Sequence, residues 1–128
     1  MKKILAEISV GELVDKLTIL EIKLENIANK DSIKIIEKEF LALKKVDLGN
    51  IDKTEYKNLY VELKSVNRKL WDIENEKRLC EKNSDFGEKF IKLSRDIHFL
   101  NDKRANIKLD INNHTGSKIK EIKEYTAY

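Results

Sequence analysis

Ser9-Val-Gly-Glu-Leu-Val-Asp-Lys-Leu-Thr-Ile-Leu-Glu-Ile-Lys-Leu-Glu25 is the stretch on which the fold turns. Ser9 followed three residues later by Glu12 reads as a capping box, with each side chain placed to bond the other residue's amide. Ile8 and Leu13 flank it at the spacing of a hydrophobic staple. From there Leu13, Leu17, Leu20, Leu24 and Ile27 recur at intervals of four, three, four and three, the stripe of an amphipathic helix. Ile19 and Ile22 lie off that stripe. A helix apolar on more than one side is usually covered on more than one side, so the segment from about 10 to 28 is expected to be a central helix.

The rest of the chain arranges itself around it. Upstream, Ile4, Ala6 and Ile8 alternate loosely, which suggests a short extended lead over residues 2–8. Downstream, Asn29 to Ser32 makes a turn ending in a cap residue. A second helix is then expected over about 33–46, striped by Ile33, Ile36, Phe40 and Leu43 and stopped at Gly49-Asn50. Asp52 and Glu55 form a second capping box before a third helix over about 53–82. Its seam runs Tyr56, Leu59, Leu63, Val66, Leu70 and Ile73, onward to Cys80, and spans about 45 Å. A break at Asn83-Ser84-Asp85 leads to a third box, Asp85 to Glu88. The fourth seam follows: Phe86, Phe90, Leu93, Ile97, Leu100, Arg104, Ile107 and Ile111, in a helix over about 86–113. Two long seams of matching length joined by a tight turn predict an antiparallel hairpin. The expectation is an all-α, four-helix bundle-like domain spanning residues 1–128, with the long hairpin packed against two shorter helices. The tail from Ser117 to Tyr128 fits a docked helix, a strand beside residues 2–8, or a frayed end.

Composition narrows the class of function. The 128 residues contain no proline and only four glycines, which permits long unbroken helices. The 26 basic and 23 acidic residues are interspersed, leaving a net charge of +3. That is the pattern of solvated faces with i,i+4 pairs rather than of a basic nucleic-acid face, so no nucleic acid is expected as a partner. Cys80 is the only cysteine, which excludes a disulfide framework or a zinc knuckle. Without a signal-peptide core or a membrane-length apolar run, a cytoplasmic chain without membrane insertion is expected.

A few polar residues sit where a plain bundle would not need them. Arg104 occupies a seam position, and a buried cation requires carboxylates or a bound anion. Glu12, Asp15, Glu21 and Glu74 are the acids on offer. Asn101, Arg104 and Lys108 share one face of the fourth helix. Set against Glu12, Asp15 and Lys16, with Trp71 as a wall, they define a candidate ligand site between helices for a small anion. The same residues, closed on each other, would instead form a polar layer that fixes helix register. Trp71 also reads as a core filler or a platform for a partner. His98 and His114 lack the Glu-x-x-His pairing of di-iron bundles, and Glu12 with Asp15 makes only half of a magnesium site. No metal, no cofactor and no catalytic residue is expected. The all-helical chorismate mutase holds a dicarboxylate by cations alone, and the fourth helix carries a faint echo of that arrangement.

Residues 9–25 together with Val66-Asn-Arg-Lys-Leu-Trp-Asp-Ile-Glu74, Asp85-Phe-Gly-Glu-Lys-Phe90 and Asn101-Asp-Lys-Arg-Ala-Asn-Ile-Lys108 resemble a family of small bacterial and phage proteins catalogued as a domain of unknown function. The resemblance covers nearly the whole chain. It implies a small helical protein with no assigned catalytic residues, and an accessory role near surface-polysaccharide glycosyltransferases. The functional expectation is a binding or accessory protein with a protein partner or self-association. The alternative is a small enzyme or ligand sensor with an inter-helix pocket for an anionic metabolite.

Overall fold

The computed structural model describes residues 2–118. Four helices follow one another: α1 (Val10–Asn26), α2 (Lys30–Lys44), α3 (Lys53–Lys82) and α4 (Glu88–Thr115). There is no strand among the described residues. The expected extended lead over residues 2–8 takes no regular structure, and Ile4 and Leu5 stand in solvent. The expectations for residues 119–128 lie outside the described part of the chain.

α3 and α4 form the long antiparallel hairpin, closed at its tip by a tight reversal. Ser84 adopts the left-handed conformation (φ 53°), and the amides of Ser84 and Asp85 donate back to the carbonyls of Glu81 and Cys80. These paired bonds satisfy carbonyls that the end of α3 would otherwise leave open. α1 packs against α2, α3 and α4, which makes it the central helix. α2 touches α1 alone and reaches the hairpin only through it. No residue of α2 is fully buried.

The core sits at the base of the hairpin. Val14 joins Leu59, Leu63, Val66 and Leu70 from α3 and Ile107 and Ile111 from α4. Each such side chain contributes roughly 1.5–3 kcal/mol by leaving water. The leucine stripe of α1 does not belong to this cluster. Leu13, Leu17 and Leu20 are buried on the other side of the helix, the side on which Lys16 pairs with Glu39 of α2. The face that meets the hairpin carries Val10 and Val14 among polar residues.

Several expected boundaries shift for local reasons. α1 ends two residues early, because Ile27 turns to extended backbone. α2 begins three residues early, because Asn29 rather than Ser32 is its cap and accepts from the Ser32 amide at 3.0 Å. It also stops at Lys44, five residues before the left-handed Gly49. The third capping box does not form. Asp85 accepts from the Gly87 amide at 3.2 Å, so Gly87 becomes an uncapped N-cap and α4 starts at Glu88. Phe86 is thereby left out of the seam, exposed and edge-on to Phe90 at 5.4 Å. At the other end α4 runs to Thr115, where Gly116 takes the left-handed turn. No described helix is long and apolar enough to cross a membrane.

Candidate functional site

The polar face of α1 enters the hairpin as a buried layer. Ser9 accepts from the Glu12 amide at 3.1 Å, so half of the expected capping box exists. The other half is absent because the Glu12 carboxylate turns to Lys108 Nζ at 2.7 Å. That lysine is almost fully buried, and a buried ammonium without a carboxylate costs far more than one unpaired cap. One turn on, Asp15 is only 2% exposed. Arg104 grips it through Nε at 2.9 Å and Nη2 at 2.5 Å, the fork geometry that suits guanidinium and carboxylate. Asn67 donates to the same carboxylate at 2.9 Å and to Thr18 Oγ1 at 2.9 Å. Thr18 in turn donates to the Asp15 carbonyl at 2.8 Å.

Burial pushes the Asp15 carboxyl up. The hydrogen bonds from Arg104 and Asn67, with the charges of Arg104 and Lys108, outweigh it and hold the group below the usual aspartate value. A side chain that would be costly alone is thus kept ionised by its partners.

At the start of α1 the backbones come close. The Gly11 amide donates to Asn112 Oδ1 at 2.7 Å, and a Cβ at Gly11 would lie 2.5 Å from the Lys108 carbonyl oxygen. Only glycine fits here. At the far end of α1, Glu21 meets Tyr60 and, at 2.7 Å, Lys64; Glu25 meets Lys64 at 2.7 Å and Arg68. Burial raises the Glu21 carboxyl, but Lys64 and Tyr60 bring it below the ordinary glutamate value. The Tyr60 hydroxyl is pushed well up, by burial and then by the Glu21 carboxylate that it bonds.

Of the seven residues expected to make a ligand site, four come together, and they meet as two ion pairs: Glu12 with Lys108 and Asp15 with Arg104. Lys16 points away, to Glu39 of α2 at 3.2 Å. Asn101 is half-buried, one turn before Arg104, and is not part of the layer. Trp71 lines a notch beside Arg104 rather than facing the carboxylates. No buried polar side-chain atom among the described residues lacks a hydrogen-bond partner. The cations and acids that could have been halves of an anion pocket satisfy each other. These contacts tie α1 to α3 and α4.

Sequence reasoning missed Asn67, Thr18, Asn112 and Gly11. A signal for one of them was present. Extending the Asn101, Arg104, Lys108 face by one more turn reaches Asn112, which is buried. Among the described residues, no group of three His, Cys, Asp or Glu side chains gathers as a metal site.

The chain belongs to a family of unknown function (DUF6165), whose sequence profile matches residues 3–128. No curated protein and no solved structure gives a match.

Proposed function

We propose that the protein works by binding, as a helical adaptor whose contact surface is the half of the α3–α4 hairpin that α1 leaves bare. The observation that carries this reading is the placement of apolar surface. Leu79, Phe86, Ile91 and Phe99 are each more than half exposed, and all four lie toward the hairpin tip. Two helices bury one seam between them and leave their other faces to water. A concentration of large apolar side chains on such a limb marks a contact surface.

The charges around it favour a second copy of the chain. A cleft of about 430 Å³ runs along the side of the limb, floored by Ile73 and Leu100. Asp72, Glu76 and Asp96 edge it against a single cation, Lys69. Beside it, α4 presents Arg95 with Ile91, next to Glu88 and to a Lys92 that pairs with Asp96 at 2.6 Å. Phe99 belongs to both surfaces. An acidic cleft beside an apolar ridge that carries Arg95 can meet itself under two-fold rotation, with Arg95 of each copy facing the cleft of the other. Two limbs related in that way would complete a four-helix bundle. An accessory place in surface-polysaccharide synthesis, the setting that the family resemblance implies, suits an adaptor of this kind.

Sedimentation equilibrium tests the reading. The wild-type chain is expected to sediment as a dimer, and Glu76→Lys or Arg95→Glu alone to shift it toward monomer. The two reversals together are expected to restore the dimer, because positions 76 and 95 again carry opposite charges. A wild-type chain that stays monomeric at the highest concentration the sample reaches, or reversals without effect on mass, would remove this reading.

A further inference from the structure

Where α1 leaves the hairpin, its tip-ward side and α3 enclose a notch of about 350 Å³. That volume lies within the range of pockets that hold one small molecule. Ile19, Ile22 and Leu70 floor it, and the half-buried indole of Trp71 forms a wall. Arg104 lies at one end, with its charge already matched by Asp15. The cation that faces open solvent is Arg78, two turns beyond Trp71 on α3. Among the described residues it makes no ion pair. Glu74, one turn before Arg78, is the carboxylate of the lining.

We propose that this notch binds a small aromatic carboxylate carrying a hydrogen-bond donor. The flat ring stacks on Trp71 over the apolar floor, as ring faces and indoles do in offset contact. The carboxylate meets the Arg78 guanidinium, whose planar fork matches it. The donor reaches Glu74. An inorganic anion would gain only the Arg78 contact and leave the apolar floor wet. A neutral ring would gain the floor and forgo the guanidinium. The pairing of both features selects an anion with an apolar body. This site is separate from the side cleft of the limb, and its occupancy does not depend on self-association.

Trp71 is the only tryptophan, so its indole N–H gives a single, assigned reporter in a two-dimensional proton–nitrogen NMR spectrum. The probe is 4-hydroxybenzoate, with 4-hydroxybenzyl alcohol and acetate as controls. Saturable movement of the Trp71 indole signal is expected, with a dissociation constant of about 1 mM for a probe of this size. Both controls should bind at least about tenfold more weakly, the worth of one charge-assisted hydrogen bond. Arg78→Met should weaken the probe by a similar factor and leave the thermal midpoint unchanged, because Arg78 is exposed. No saturable shift, equal binding of the neutral alcohol, or undiminished binding to Arg78→Met would each overturn the proposal.

Discussion

At the scale of single residues, the pairing of Asp15 with Arg104 is the contact whose loss can be argued most closely. The two groups differ in depth: the Asp15 side chain is 3% exposed and that of Arg104 30%. Arg104→Met strands a carboxylate inside the protein and is expected to cost about 3–5 kcal/mol. Asp15→Asn strands a guanidinium that still reaches water, and should cost less, about 2 kcal/mol. Replacing both, Asp15→Asn with Arg104→Met, should recover much of the loss, since neither charge is then buried alone. Urea denaturation of the four proteins as a double-mutant cycle measures this coupling. Strictly additive losses would show that the fork contributes nothing as a pair. Arg104 was legible from sequence as a charge in an apolar seam, and its need for a carboxylate followed from desolvation alone. Which of four acids it takes did not follow.

At the scale of elements, the helices are unequal in what holds them. α3 is tied down at its base: Asp52 caps the amides of Thr54 and Glu55 at 3.0 Å, and Leu59, Leu63, Val66 and Leu70 lie in the core. α2 rests on α1 alone. Leu63→Ala should therefore cost about 3 kcal/mol, as a fully buried leucine does. The half-buried Leu43→Ala should cost about 1 kcal/mol. In hydrogen exchange the amides of α2 should lose protection well before those of the base of α3. Equal protection of the two would contradict the layered arrangement. The approximate extent of α3 was readable, because its cap, seam and stop are all local. The start of α4 was misread because Asp85 had two competing uses. Its carboxylate stays with the Gly87 amide, inside the turn that the reversal at Ser84 imposes.

At the scale of the molecule, acid acts on the layer that joins α1 to the hairpin. The ordinary values for Asp15 and Glu21 are 3.8 and 4.5, and both carboxyls lie below them in the folded chain. The unfolded chain therefore binds more protons than the folded one as pH falls through this range. The stability these groups contribute is present above about pH 4.5 and is lost progressively as pH drops through their folded values. Urea midpoints measured from about pH 6 down to about pH 3 should fall across that window. Glu21→Gln should fall less steeply, having one titrating group fewer. A midpoint flat to the acid end would mean that neither carboxylate stabilises the fold. The bare limb is likewise a property of the whole, since α1 is shorter than the hairpin and covers only its base.

The sequence by itself determined the four helices, the hairpin and its length, and the central place of α1. Helical period, caps and turn residues act within a few positions, so a reader of the chain sees them. It did not determine which side of α1 faces the hairpin. The leucine stripe looked like the core face, yet it lies toward α2, and the hairpin takes the side carrying Asp15 and Thr18. Only the tertiary structure decided that, through contacts such as Gly11 with Asn112, 101 positions apart, and Asp15 with Arg104, 89 apart. A polar side chain looks like a surface residue until its partner is in place. Here the partners come from the far end of the chain, where no local pattern points to them.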